Sequence, residues 1–241
     1  MAEKDPSAAR VAAVVLAAGS SSRMRGRDKI YEPLAGHPLI FYSLALFEEC
    51  KEVDAVIAVA APGAEAKLRR LASDHGFNKI RRVVAGGAAR NDSAAAGLAA
   101  AAAISRADAA VLVHDAARPL ATRKLVRRLL AALASADGAV PALPLADTVK
   151  RIDDEGYVVA TLARDVLRAI QTPQAFKLGS IAEAYRKAAR EGWAATDDAS
   201  VLEQAGGRVV TVEGERDNFK ITFPEDLARA ELVLARGNKG C

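Results

Sequence analysis

The first stretch whose residue types could do chemistry is a small polar loop that directly follows an apolar run over residues 11–16. The loop begins with three residues that carry almost no side chain, continues with three serines, and then holds three arginines and a lysine. A ligand can therefore approach the backbone, where successive N–H groups bind an anion while the cations balance its charge. This combination predicts a polyphosphate site, with a solvated loop and incidental arginines as the alternative. The candidate residues are Ala17, Ala18, Gly19, Arg23 and Lys29.

The loop matches neither of the two common glycine-rich phosphate motifs. The sequence has no G-x-x-x-x-G-K-[ST], and the loop does not match G-x-G-x-x-G. Taken alone, it therefore does not identify a class of nucleotide-binding protein.

The chain around this loop alternates between strand-like and helix-like runs. Buried strands are predicted at residues 11–16, 54–60, 80–84, 109–114 and 139–143, with apolar residues at helical spacing between them. Because parallel strands need crossover connections, the alternation predicts an α/β fold, a mostly parallel sheet with helices on both faces. Ligands bind at the carboxyl ends of such strands. The loops after the first, third and fourth predicted strands should therefore line one crevice.

The alternation stops between residues 145 and 177. Short β-like runs at residues 149–152 and 157–162 flank an acidic turn that contains glycine, which predicts a hairpin. The apolar content of the hairpin is too small for a core of its own, and an isolated hairpin is marginal in water. We therefore expect a β-arm over about residues 144–172 that projects from the domain and packs on another subunit. A hairpin folded flat on its own domain is the alternative.

Composition argues against several other classes of protein. The net charge at pH 7 is only +4 and is spread over short arginine pairs, which suits anionic small molecules better than nucleic acid. The sequence has no span of about 18 apolar residues, so no membrane helix is predicted. Cys50 and Cys241 lack the spacing of a metal site, and a disulfide between them is not expected, which predicts a reducing, cytoplasmic location.

Six polar motifs follow one another along the chain: AAGSSSRM, HDAARP, DTVKR, TPQAF, TDDASVLE and VEGERDNFKIT. In this order they resemble the 2-C-methyl-D-erythritol 4-phosphate cytidylyltransferase family of the non-mevalonate isoprenoid pathway, over about residues 11–234. The resemblance implies transfer of CMP from CTP to 2-C-methyl-D-erythritol 4-phosphate, with release of pyrophosphate. It also implies a Rossmann-like α/β fold in a single nucleotidyltransferase domain over residues 1–241. Mg²⁺ bound mainly through the CTP phosphates and a homodimer formed through the β-arm are implied as well.

The resemblance further implies roles for single residues. Arg23 and Lys29 match the pair that binds the triphosphate and stabilises the transition state. Lys220 matches the lysine that contacts the phosphates and positions the attacking group, and Arg164 matches the arginine that reaches the acceptor phosphate from the partner subunit. The matches around the nucleotide are Ala17, Ala18, Gly19, Gly87 and Ser93. The matches on the acceptor or ribose side are Asp115, Arg118, Thr148, Thr172 and Thr196. No side chain is implied as a metal ligand.

The chemistry of such a transfer agrees with these roles. An acceptor phosphate is already ionised at neutral pH, so the obstacle is the repulsion between two anions rather than the lack of a base. We therefore expect His114 to be a packed residue rather than a catalytic one. We also expect Asp197 and Asp198 to cap the following helix rather than to bind a metal ion. Lys220 lies in an apolar, strand-like segment and needs an anion nearby, because a lysine is rarely buried unpaired.

Two positions depart from the commoner pattern of the family. Asp28 precedes Lys29 where many members have proline, and Ala88 stands where some members carry a polar or acidic residue. Asp28 could partly neutralise Lys29, and with Ala88 a contact to the base is either missing or made by the backbone alone. Two other functions stay open: a cytidylyltransferase for another polyol phosphate, such as ribitol 5-phosphate, and a nucleotide-binding regulator without turnover.

Overall fold

The structure is a computed structural model that describes residues 8–19 and 28–237. The strands within these residues are β1 (Ala9–Ala17), β2 (Pro33–Leu34), β3 (His37–Pro38), β4 (Ala55–Ala60), β5 (Ile80–Ala85), β6 (Ser105–Asp115), β7 (Gly138–Pro144), β8 (Lys150–Ile152), β9 (Val158–Thr161), β10 (Arg168–Ile170), β11 (Gln174–Lys177) and β12 (Val209–Glu213). The helices are α1 (Leu39–Glu49), α2 (Glu65–Asp74), α3 (Arg90–Ala102), α4 (Arg123–Ala132), α5 (Leu178–Glu191), α6 (Asp198–Gln204) and α7 (Glu225–Gly237).

The central sheet has the strand order β10-β7-β11-β6-β1-β4-β5, and β12 also pairs with β7. The strands β1, β4, β5 and β6 are parallel to one another, and β12 is parallel to β7. The strand β11 runs antiparallel to both β6 and β7, so these two point the same way, and β10 is antiparallel to β7. The predicted mostly parallel sheet is confirmed.

The strand order reverses between β1 and β6. From β1 the chain crosses through α1 to β4 and through α2 to β5, and then returns through α3 to β6 on the other side of β1. The loops that leave the carboxyl ends of β1 and β6 therefore diverge, which leaves a crevice between them.

The core consists of two apolar layers, one on each face of this sheet. Because side chains alternate along a strand, Ala13 and Val15 of β1 face α1, α2 and α4, whereas Val14 faces α3, α5 and α6. The fully buried helix residues include Phe47, Leu68 and Leu125 in the first layer and Leu98 and Ile181 in the second. Full burial of such a side chain contributes about 1.5–3 kcal/mol. The helices on both faces of the sheet were predicted, and this prediction is confirmed.

Two segments of the C-terminal half differ from the sequence-based expectation. The short strands β10 and β11 were not predicted, because three or four residues are too few to show a hydrophobic period. The predicted strand around Lys220 is wrong, since the structure gives residues 218–222 no strand. This segment is instead joined to the loop after β6, where Ile221 N donates to Ala117 O at 2.8 Å.

The predicted arm is a separate two-stranded ribbon of β8 and β9. It is shorter than predicted, because Pro144 and Arg168 pair with each other in the main sheet and residues 145–167 lie between them. Several large apolar side chains of this segment are exposed, including Tyr157 at 68%, Val158 at 59% and Val166 at 80%. Exposed apolar side chains of this size suit contact with a partner, and the packing of the arm on another subunit stays a prediction.

Two further expectations concern location. Among the described residues, no helix has the length and apolar character needed to cross a membrane. The thiol of Cys50 is buried and unpaired with another cysteine, and burial raises its pKa. The cytoplasmic location stays a prediction.

We expect the contact between α3 and the sheet to tolerate no added atom at Gly97. A Cβ there would lie 2.4 Å from Cγ1 of Val14 and 2.8 Å from Cγ2 of Val59. Gly97→Ala should lower the free energy of unfolding by about 1–2 kcal/mol, because overpacking outweighs the better helix propensity of alanine. Urea denaturation measures the change. Gly179→Ala in α5 is the matched control, since a Cβ at Gly179 meets no atom within 4 Å. Equal stability of the two variants would contradict this packing argument.

Candidate active site

The floor of the crevice is formed by the carboxyl ends of β1 and β6. Leu16 pairs with Asp115 in the ladder, and one residue later Ala116 N donates to Leu16 O at 3.0 Å. Ala17 is buried at the end of β1, whereas Gly19 is exposed. The loop predicted to bind phosphate therefore starts beside the Asp115 that was predicted on the acceptor side.

The turn after β5 closes one side of this crevice. A Cβ at Gly86 would lie 2.5 Å from Cβ of Ala18, and one at Gly87 would lie 2.3 Å from Cβ of Asp92, so both positions require glycine. The hydroxyl of Ser93 accepts from Gly87 N and donates to Ala89 O, both at 3.2 Å. The predicted nucleotide residues Ala17, Ala18, Gly87 and Ser93 thus form one compact wall, largely of backbone.

Asp115 is the central charged group of the crevice, and its residue is only 8% exposed. Its Oδ1 accepts from Arg90 Nε at 3.2 Å, and its Oδ2 accepts from Lys220 Nζ at 2.7 Å. Burial by itself would raise the pKa of Asp115, but the charges of Arg90 and Lys220 outweigh burial and hold that pKa well below its usual range. Lys220 therefore has the anionic partner that the sequence predicted, and Asp115 is ionised at neutral pH.

Arg90 connects Asp115 to a second buried carboxylate. Its Nη2 donates to Asp198 Oδ2 at 2.8 Å, and the hydroxyl of Tyr185 donates to Asp198 Oδ1 at 2.6 Å. Burial opposes the charge of Arg90, but Asp198 and Asp115 outweigh it and raise the pKa of the guanidinium. The cap of α6 is Asp197, whose Oδ1 accepts from Ser200 N at 3.0 Å. The prediction that Asp198 is also a helix cap is therefore wrong.

Sequence reasoning missed Arg90, although the sequence carries a signal for it. Arg90 is the first residue of α3, where the positive end of the helix dipole disfavours a cation. A cation in such a position needs carboxylates from elsewhere in the fold to compensate it. Asp115 and Asp198 supply this compensation.

Lys29 and Arg118 reach the same segment as Lys220. Lys29 Nζ donates to Ile221 O at 2.9 Å, and Arg118 Nη1 donates to Asn218 O at 2.9 Å. Three predicted cations from distant parts of the chain are thus brought together around residues 218–221. Asp28 is exposed at the start of the short turn that carries Lys29.

His114 is fully buried beneath the site, as the sequence predicted. Its Nε2 lies 3.1 Å from Arg118 O, which can only accept, so this nitrogen carries the proton, and Nδ1 accepts from the Thr172 hydroxyl at 3.2 Å. Burial lowers the pKa of His114 to about 4, so the ring is neutral at physiological pH. Thr172 also accepts from Asp115 N at 3.0 Å, and it therefore holds the backbone of Asp115 at the end of β6.

Three other candidate residues lie farther out. Thr148 and Arg164 are exposed at the base of the arm, where Arg164 Nη1 donates to Ala146 O at 2.6 Å. Thr196 is exposed next to the cap of α6. Arg23 lies outside the described residues. Within those residues, no group of three His, Cys, Asp or Glu side chains could hold a metal ion.

Comparison with known proteins agrees with the fold and the motifs. The family model described as "IspD: 2-C-methyl-D-erythritol 4-phosphate cytidylyltransferase" matches residues 11–236. The chain is similar to the proteins of that name from Rubrobacter xylanophilus (44% identity, 92% of this chain, 94% of that protein) and Dehalococcoides mccartyi strain 195 (40% identity, 95% and 97%).

Two crystal structures are also similar to the chain. The 4-diphosphocytidyl-2C-methyl-D-erythritol synthase from Anaerococcus prevotii superposes with a TM-score of 0.81 at 33% identity and covers 94% of this chain and 96% of its own. The cytidylyltransferase from Thermus thermophilus gives a TM-score of 0.73 at 36% identity, with 92% and 98% covered. The resemblance predicted from the six motifs is confirmed, and the chain belongs to the 2-C-methyl-D-erythritol 4-phosphate cytidylyltransferase family.

Proposed function

We propose that this protein transfers CMP from CTP to 2-C-methyl-D-erythritol 4-phosphate, giving 4-diphosphocytidyl-2-C-methyl-D-erythritol and pyrophosphate. The observation that carries the proposal is the meeting of Lys29, Asp115, Arg118 and Lys220 at the crevice between β1 and β6, in a chain of this family. A cluster of cations at the switch point of a parallel sheet is a site for phosphorylated ligands.

The reaction needs little proton transfer. An oxygen of the acceptor phosphate attacks the α-phosphorus of CTP, and the bond from this phosphorus to the bridging oxygen breaks, so that pyrophosphate leaves with the electron pair. The cations of Lys29, Lys220 and Arg118 reduce the repulsion between the two anions and stabilise the charge that develops in the transition state. Arg23 matches a triphosphate-binding residue of the family, and its positive charge would contribute to the same stabilisation. His114 has no role as a base, because its proton and its lone pair are both engaged within the core.

The base of the nucleotide would lie against the turn after β5. The glycines of this turn let the backbone approach closely, and Ser93 supplies the polar side chain. A wall of alanine and glycine residues this tight suits the small ring of cytosine and excludes a purine.

Mg²⁺ would be held mainly by the phosphate oxygens of CTP, and we assign no side chain to it. Both oxygens of Asp115, the carboxylate at the crevice, are already engaged by Arg90 and Lys220. When bound, Mg²⁺ supplies neutralisation of phosphate charge, and it usually keeps few protein ligands in such sites.

The exposed apolar side chains of the arm support a homodimer in which each arm packs on the other subunit. Arg164 lies at the base of this arm, so the same exchange would carry it to the partner's acceptor phosphate. We also propose a cytoplasmic location, on the grounds of cysteine usage and the reducing conditions it suits.

An assay of pyrophosphate release tests the proposed function. We expect release with CTP and 2-C-methyl-D-erythritol 4-phosphate, and much less with UTP, ATP or GTP. Ribitol 5-phosphate is the control acceptor, because it keeps the phosphate and polyol character but not the branched carbon chain. A preference for ribitol 5-phosphate would instead identify the protein as a cytidylyltransferase for that other polyol phosphate. CTP binding without pyrophosphate release from any acceptor would favour the regulator.

Removing either lysine of the crevice should leave the fold intact and reduce turnover. We expect Lys29→Ala and Lys220→Ala each to lower kcat by about a hundredfold or more, as is typical for loss of one transition-state contact. Steady-state kinetics and circular dichroism measure the two properties. Lys124→Ala in α4, an exposed lysine outside the crevice, is the control and should behave like the wild type. Turnover near the wild-type value in a folded Lys29→Ala or Lys220→Ala protein would refute the assignment.

Mixing inactive variants tests whether Arg164 acts across the dimer. If each site combines Lys29 of one subunit with Arg164 of the other, dimers that mix Arg164→Ala with Lys29→Ala contain one intact site. We expect about a quarter of the wild-type activity, because about half of the dimers are mixed and one of their two sites is complete. The control mixture of Lys29→Ala with Lys220→Ala should stay inactive, since both residues belong to the same subunit's site. No recovery in the first mixture would place Arg164 in its own subunit's site or outside the site.

A further inference from the structure

We propose that Arg90 is a positioning residue of this reaction, which fixes Asp115 and, through it, the Lys220 ammonium group that faces the acceptor phosphate. The inference rests on the proposed function and adds to it a residue that contacts neither substrate. Its basis is a continuous chain of short contacts that runs from α5 to the crevice.

The guanidinium of Arg90 is held at two of its nitrogens, one by Asp115 and the other by Asp198. Nε contacts Asp115 Oδ1 at 3.2 Å and Nη2 contacts Asp198 Oδ2 at 2.8 Å, so one planar guanidinium spans two carboxylates. An ammonium group is a single point charge and cannot reproduce this span. The identity of Arg90 as arginine, and not only its charge, therefore matters for the arrangement.

The contact of Arg90 with Asp198 is held rigidly. The side chain of Asp198 is completely buried, and its other oxygen is occupied by the hydroxyl of Tyr185, which is itself mostly buried in α5. A buried carboxylate with two charge-assisted or short hydrogen bonds has no freedom to follow a moving partner. Arg90 is thus located by the packed layer of α5 and α6.

The contact of Arg90 with Asp115 determines where the ammonium group of Lys220 lies. The Lys220 side chain is 40% exposed, and its ammonium group donates to Asp115 Oδ2 at 2.7 Å. Without Arg90, Asp115 would be held by Lys220 alone at its oxygens, and the pair could rotate together. A displacement of about 1 Å at a reacting group can cost about a hundredfold in rate.

The same contact should appear in the pH dependence of the reaction. Asp115 is faced by Arg90 from α3, by Lys220 from the segment before α7, by Arg118 from the loop after β6, and by the neutral His114 on β6. Arg90 and Lys220 are the two strongest opposing charges. Loss of Arg90 removes one of them, so the pKa of Asp115 rises and the acidic limb of the rate profile moves to higher pH.

Two variants and one control separate positioning from a general structural role. Arg90→Gln removes both the positive charge and the simultaneous contact with Asp115 and Asp198. Arg90→Lys keeps the positive charge but cannot contact both carboxylates at once. Arg106→Gln is the control, because it removes a similar arginine–aspartate pair, with Asp108, from the amino-terminal half of β6 and far along the strand from the crevice. For each protein, thermal unfolding, the KM for each substrate, kcat and its pH profile are measured. The side-chain carboxyl signal of Asp115 is also titrated by NMR in the substrate-free protein.

We expect Arg90→Gln to lower kcat/KM for the acceptor by about a hundredfold, with a raised acceptor KM, a KM for CTP close to the wild-type value, and an acidic limb at higher pH. Arg90→Lys should fall between this variant and the wild type, and Arg106→Gln should match the wild type. A folded Arg90→Gln or Arg90→Lys protein with a wild-type acceptor KM and pH profile would overturn the proposal. If Arg90→Gln does not fold, Arg90→Lys decides by the same measurements. The NMR titration of Asp115 needs no turnover, so an unchanged titration in the variants overturns the inference even if the wild type proves inactive with this acceptor.

Discussion

The structure around the crevice depends on one buried carboxylate, Asp115, that is held between two cations. Ionised carboxylates are seldom buried, and this one is stabilised by Arg90 and Lys220, which approach it from distant parts of the chain. The three residues join the end of β6, the start of α3 and the segment before α7. One electrostatic cluster thus links elements that are not neighbours in the central sheet.

The sheet explains why this carboxylate lies where ligands bind. A parallel sheet needs crossovers, and the reversal of the crossovers beside β1 leaves the ends of β1 and β6 uncovered. The glycines after β5 then allow that turn to approach Ala18 closely. One wall of the crevice is consequently made largely of backbone, and another is made of charged side chains. A site for two phosphorylated ligands needs both kinds of wall.

The features that were predictable from the sequence are those with a local pattern. The strand β1, the position of Asp115 at the end of β6, and the burial of His114 follow from runs of apolar residues and their order. The link between Arg90 and Asp198 joins residues 108 positions apart, and no local period signals such a pair. The strands β10 and β11 were not predicted for another reason: the pairing of short antiparallel strands depends on the neighbouring strands rather than on their own sequence pattern. Arg23 is predicted as a site residue by its position in a motif, but it lies outside the described residues.

Four cations lie at the crevice: Arg90 and Lys220 contact Asp115, whereas Lys29 and Arg118 donate to backbone carbonyl groups. Cations at an open crevice produce a field that extends into solvent and accelerates the encounter with multiply charged anions. Dissolved salt screens such a field over about 8 Å at physiological ionic strength. The rate at which this protein captures its ligands is therefore tied to the ionic composition of its surroundings, while the buried contacts that shape the crevice are largely insulated from it.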